Sequence, residues 1–141
     1  MSCALCESPG GTLLWQDDHC RVVLVDDPDY PGFLRVILNA HVREMTDLPA
    51  GGQIALMQVV FAAEAALREV LAPDKINLAS LGNVVPHLHW HVIPRFTDDP
   101  HFPNPVWGVK QHGAPHGAPP DLDTLLRAAL NRQLGRVRET G

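Results

Sequence analysis

Apolar and polar residues alternate in short runs up to Asn39, take a helical spacing from Gln53 to Leu71, and alternate again before Phe96. The pattern predicts strands over 12–16, 20–26, 33–39, 76–81 and 87–96. Asp17-Asp18-His19 separates the first two, and the Asp, Pro and Gly of 26–32 make a loop before the third. These connections are too short for crossover helices, so an antiparallel sheet is expected. Over 53–71 a helix is predicted, with Ile54, Met57, Phe61, Ala65, Val70 and Leu71 as its apolar stripe and Glu64, Arg68 and Glu69 opposite; Pro73 ends it. Residues 97–120 are too rich in proline and glycine for regular structure. Within them 113–120 reads as a linker, after which Asp121 can cap a short helix over 122–134. The fold class expected is α+β: about five antiparallel strands, one long helix and a C-terminal tail. The organisation expected is a domain over 1–112, then a linker and short helix over 113–141.

Composition narrows the classes. A chain of 141 residues is enough for one cored domain and too short for two ordinary ones. Its net charge of −5 argues against a nucleic-acid polymer as partner, because that surface needs a basic stripe, but leaves room for a small phosphorylated ligand. The N-terminus has no basic-then-apolar segment and no run reaches membrane-spanning length, so a cytoplasmic protein is expected. Three cysteines, an odd number, suit a reducing compartment better than a disulfide scaffold. Cys20, in an apolar run, reads as a small buried hydrophobe.

The chemistry is concentrated in His87-Leu88-His89-Trp90-His91. On a strand, alternate side chains share a face, so the three imidazoles project together at roughly 7 Å per step while Leu88, Trp90 and Val92 face a core. A helix would scatter them. Packing alone rarely places three histidines on one face. Imidazole can serve as nucleophile, acid, base or metal ligand near neutral pH. Cys3-x-x-Cys6 has the spacing of a thiolate pair for zinc, a signal that is only moderate by itself. His112 and His116, in the tail, read as solvated loop residues.

The run His87 to Ile93 resembles the His-φ-His-φ-His-φ-φ motif of the histidine triad (HIT) family. The resemblance extends over roughly residues 3–96, through the Cys-x-x-Cys pair, the paired strands, the long helix and the triad strand, in that order. It implies a nucleotide hydrolase or nucleotidyl transferase, with His89 as nucleophile in a covalent nucleotidyl intermediate and His91 on the phosphate oxygens. It also implies a backbone carbonyl against the nucleophile's second nitrogen. Zinc-bearing members place four ligands at positions matched here by Cys3, Cys6, His41 and His87, implying a structural zinc. The family's ribose-binding position falls on Asp26, which also reads as a turn residue, and its phosphate-side polar position falls on Asn83. Leu24 and Phe33 could flank a base or simply pack. Many members carry a Ser or Thr where this chain has Val84, so a hydroxyl able to protonate the leaving group is missing. The family usually forms homodimers through the long helix and a neighbouring strand.

Two other readings stand beside the hydrolase. One is a zinc-stabilised nucleotide-binding module with little turnover. The other is a catalytic metal held by the triad, which has no adjacent carboxylate to act as base. The tail segment 98–108 carries Phe102, Val106 and Trp107 among its prolines, and free linkers seldom hold such aromatic content. It is expected to pack, with Trp107 buried and the segment walling the pocket.

Overall fold

The computed structural model describes residues 2–140, with side chains through Gly135. A helical turn α1 (Ala4–Glu7) precedes β1 (Thr12–Gln16), β2 (Cys20–Leu24) and β3 (Leu34–Leu38). A 3-10 turn (Met45–Asp47) leads into α2 (Ala50–Leu71), followed by β4 (Lys75–Ala79), β5 (His89–Arg95) and α3 (Leu122–Thr140). The five strands form one sheet in the order β1-β2-β3-β5-β4, every neighbouring pair antiparallel. The expected α+β class and strand number hold, and the expected strands fall within two residues of the observed ends.

α1 was not expected. It is one turn long, and its Cys6 and Glu7 amides bond back to the Cys3 carbonyl. A single turn leaves no periodicity to read. α2 starts earlier than the pattern indicated, because Gly51 and Gly52 mask the start of a helix whose first residues are set by packing. Ala72, at φ 46°, ends it in the left-handed conformation just before Pro73.

Which face of α2 is buried differs from the expectation. Leu56, Val59, Val60, Ala63, Ala66 and Leu67 are buried, whereas Ile54 is 61% and Phe61 54% exposed. Val70 and Leu71 do pack at the edge of the core. Glu64 and Arg68 follow Phe61 by three and seven residues and so share its exposed side, which means that the charged positions lie beside the expected stripe rather than opposite it.

The sheet's two faces have different duties. Leu34, Val36 and Leu38 of β3, with Val22 and Val92, point into the main core beneath α2. α3 lies against α2 and β1 on that same side. It runs past residue 134, and its Leu122, Leu126, Ala129, Leu130 and Leu134 belong to the main core. Burying a leucine is worth about 1.5–3 kcal/mol, so α3 is docked on the domain rather than merely tethered by 113–120, a stretch without helix or strand. A bulge between Leu13 and Trp15 lets Leu14 and Trp15 both face the core while Leu13 turns to the other side. On that other face lie α1, a small cluster of Leu5, Val23 and Ile37, and the histidines.

Candidate functional site: a histidine strand between a thiol–imidazole cluster and a cavity

β5 behaves as its alternation requires. Leu88, Trp90 and Val92 pack with the main core, while His89 and His91 turn to the opposite face at 8% and 6% exposure. In register, His89 pairs with Ile37 and His91 with Arg35 of β3. His87 precedes the strand and is fully buried.

The backbone decides what each ring nitrogen can do. His89 Nδ1 lies 2.6 Å from the His87 carbonyl oxygen. A carbonyl only accepts, so Nδ1 carries the proton and donates, and Nε2 keeps its lone pair. This is the carbonyl contact that the resemblance implied. His87 is fixed in the reverse sense: Nε2 donates to the Leu38 carbonyl at 2.6 Å, leaving the Nδ1 lone pair free. Burial pushes the His87 imidazole below its usual pKa and so favours that neutral form.

His87 Nδ1 faces a cluster. Cys3 Sγ and Cys6 Sγ each lie 3.4 Å from it, His41 Nδ1 lies 3.2 Å from it, and Cys6 Sγ is 3.3 Å from His41 Nδ1. The four ligand atoms are all within 4.8 Å of one another. A tetrahedral ion at ordinary Zn–S and Zn–N lengths separates sulfur from nitrogen by about 3.6 Å and nitrogen from nitrogen by about 3.3 Å. The observed spacings are close to these. The cluster therefore has the donors, distances and imidazole orientation that a closed four-ligand metal site needs. The Leu38 carbonyl would serve as its outer hydrogen-bond partner.

His89 and His91 line a cavity of about 420 Å³, together with Arg35, Asn83, Val85 and Trp107. Its size falls within the range of small-molecule sites. Gly82, at φ 72°, makes the turn that brings Asn83 to the rim. Val84, also lining, is 93% exposed and supplies no hydroxyl. His91 is packed edge-on by Phe33, His89 and Trp107, with ring centroids 5.0 to 5.5 Å apart. Burial, and then the neighbouring His89 and Arg35, push His91 down to about 4, so it is neutral at pH 7. Its Nδ1 is buried without a partner.

Not every expected residue reaches this cavity. Asp26 is exposed just beyond β2 and does not line it. Leu24 packs against the main core, whereas Phe33 touches His91. Cys20 is buried in the core as expected. Trp107 walls the cavity but is 53% exposed rather than buried, because it stands at the mouth. His112 is exposed, but His116 is more than a solvated loop residue: it stacks on Phe96 at 3.6 Å and pairs with Asp98 at 2.7 Å. Arg35 was missed. The only signal was one charged residue inside Leu34-Arg35-Val36-Ile37-Leu38, on the alternation that faces away from the core.

The tail is anchored by a buried ion pair. Arg95 Nε meets Asp99 Oδ2 at 2.8 Å, and both side chains are almost fully buried. Asp99 also accepts from Arg95 Nη2, from the amides of Phe96, His101 and Phe102, and from the Tyr30 hydroxyl. Arg95 additionally donates to Asn77 and to the Asn104 carbonyl, which ties down the loop leading to Trp107.

Among the described residues, no helix is long and apolar enough to cross a membrane. None of the curated proteins matches this chain. Solved structures do. A histidine triad protein from Bradyrhizobium japonicum is 32% identical, with 89% of this chain and 91% of that one aligned at a TM-score of 0.72. One from Marinobacter aquaeolei is 30% identical over 91% of each chain, with a TM-score of 0.71. A zinc-bound histidine triad family protein from Mycobacterium smegmatis is 25% identical over 97% and 98% of the two chains, with a TM-score of 0.63. The family model for the HIT domain matches residues 9–98, which span β1 to β5 and hold the three histidines of the triad, His87, His89 and His91. With that match joined to the strand geometry and the fixed imidazoles, the chain belongs to the histidine triad family.

Proposed function

We propose that the protein is a nucleotide hydrolase or nucleotidyl transferase working through a covalent intermediate on His89. The observation that carries this reading is the 2.6 Å bond from His89 Nδ1 to the His87 carbonyl, which leaves a lone pair on Nε2 of a histidine lining the cavity. Nε2 attacks the phosphorus of a nucleoside phosphate ester, anhydride or phosphoramidate. The bond from phosphorus to the leaving group breaks, and that group departs with its electron pair and gains a proton. Water then attacks the phosphorus and gives up a proton to solvent, which balances the proton the leaving group took; the P–N bond breaks, and the nucleoside monophosphate is released as Nε2 recovers its lone pair. His91 and Asn83 face the phosphate oxygens, and Asp26, which stands outside the cavity wall, is assigned to the ribose by the family resemblance alone. Because the cavity wall has Val84 in place of a hydroxyl, leaving groups that need little protonation, as in an anhydride, suit it best. Incubation with adenosine phosphoramidates, adenylyl sulfate and dinucleoside polyphosphates tests the reading. Release of a nucleoside monophosphate from at least one class is expected. Tight nucleotide binding without turnover of any would favour the nucleotide-binding module instead.

The Cys3, Cys6, His41 and His87 cluster fits a structural zinc, which when bound would staple the N-terminal turn to the start of the triad strand. Four protein ligands leave no place for a reacting water. Protein purified without added metal is expected to carry about one zinc per chain. Its removal by a chelator should lower the thermal midpoint well before any loss of nucleotide binding in the folded fraction. Elemental analysis showing no zinc, with an unchanged melt in chelator, would overturn this assignment.

A second copy of this chain is the proposed partner. Ile54, Met57 and Phe61 form an exposed apolar groove with Met45, Gln53 and Gln58, and β4 is an edge strand of the sheet. A dimer mass in sedimentation is expected, reduced to a monomer by Phe61→Glu. A wild-type monomer would rule the dimer out.

A further inference from the structure

A buried-facing arginine on the triad's side of the sheet calls for an explanation that packing does not give. Arg35 lies opposite His91 in the β3–β5 register and lines the same cavity as His89 and His91. Its guanidinium is held at one end, where Nη1 donates to the Gly10 carbonyl at 3.3 Å. Its Nε is buried and has no partner. Among the described residues no carboxylate lies within ion-pair distance of Arg35, in contrast to Arg95, whose charge is met by Asp99. Arginine does not escape this cost by losing its proton. A half-desolvated, unpaired cation is retained where something anionic is to be bound.

The cavity lining says what kind of anion. Apart from Arg35, its polar side chains are two imidazoles, the Asn83 amide and the Trp107 indole, and the rest are apolar or glycine. His91 is neutral, and His89 must be neutral at Nε2 to attack. Neither can balance the negative charge of a phosphoryl group, which in the transition state spreads over the non-bridging oxygens. Guanidinium presents a planar fork of donors that suits phosphate and delivers more than a point charge. Arg35 is the only full positive charge among the residues lining this cavity.

We propose that Arg35 is the anion-binding residue of the cavity, pairing with the phosphoryl oxygens of a nucleotide and setting a preference for phosphorylated over unphosphorylated ligands. This rests on the nucleotide reading of the site. It adds a cation that stands outside the histidine motif and binds from the neighbouring strand. Because Arg35 and His91 are direct neighbours across β3 and β5, the same charge also disfavours protonation of His91.

Calorimetric titration of the full chain with the four ribonucleosides and their 5′-monophosphates tests the idea. Wild type, Arg35→Met and Arg35→Lys are compared at low and high salt. Wild type should bind at least one monophosphate more tightly than its nucleoside, with a preference that shrinks as salt rises. Arg35→Met should weaken that monophosphate by about 10- to 100-fold, the scale of a lost charge-assisted hydrogen bond, and leave the nucleoside unchanged. Arg35→Lys should recover part of the loss. Arg35→Gln carries the same comparison if Arg35→Met does not fold. If the variant binds monophosphate as wild type does, or loses nucleoside and monophosphate in equal proportion, the guanidinium only braces Gly10 and the proposal fails. If wild type binds neither ligand, the nucleotide reading itself fails, and the two failures are told apart by the wild-type titration alone.

Discussion

His89→Asn should lower turnover by at least about three orders of magnitude while leaving the fold in place. The asparagine amide can still donate toward the His87 carbonyl that His89 Nδ1 now occupies, so the strand's local bonding survives. What disappears is the Nε2 lone pair, and no other side chain replaces it. His91 is the only other imidazole on the cavity wall, and it is wedged between Phe33, His89 and Trp107 with its Nδ1 buried. The loss should fall on kcat more than on KM, since the cavity and Arg35 are untouched. Mass spectrometry of wild type quenched during turnover should show a nucleotidyl adduct on the peptide holding His89, absent from the variant. The thermal midpoint of His89→Asn should match wild type. Activity within about tenfold of wild type would remove His89 from the nucleophile's role.

The second large effect lies at the buried Arg95–Asp99 ion pair. Asp99→Ala should cost about 3–5 kcal/mol, because it leaves the Arg95 guanidinium buried without its counterion. For a chain of this size that corresponds to a fall in thermal midpoint of roughly 10 °C or more. Burial by itself would raise the Asp99 carboxyl, but the Arg95 guanidinium and the amides of Phe96, Phe102 and His101 outweigh it and hold Asp99 well below the usual carboxylate range. The sign of the pH dependence follows. A depressed folded-state pKa stabilises the fold above the unfolded carboxylate value near about 4 and loses that contribution as pH falls below it. Wild type should therefore lose stability on acidification below about pH 4 more steeply than Asp99→Ala, which has no such proton to take up. Substrate use should also suffer, because the same carboxylate holds the loop that leads to Trp107. A melt within about 2 °C of wild type would show that the ion pair contributes little.

Alternation along His87 to Ile93 was enough to put His89 and His91 on one face and Leu88, Trp90 and Val92 in the core. Strand periodicity allows no other arrangement of these five. His87, expected beside His89 and His91, instead precedes the strand and turns to the thiol cluster. Short Gly, Asp and Pro connections likewise determined the antiparallel sheet to within two residues at the strand ends. The thiol and imidazole pairs were legible only through family likeness, because Cys3, Cys6, His41 and His87 are far apart in sequence and meet only when α1 folds against the start of β5. Other features needed the tertiary structure. α2 offers two apolar stripes at helical spacing, and the sheet and α3 bury Leu56, Val60 and Leu67 rather than Ile54 and Phe61. The tautomer of His89 depends on where the His87 carbonyl points, a backbone direction that side-chain identity does not encode. Arg35 looked like one charge in an apolar strand until β3 paired with β5 and set it opposite His91. Sequence determined these faces and periods because they are local. Pairing, helix orientation and ring nitrogens were decided by tertiary packing, because each depends on contacts between residues distant along the chain.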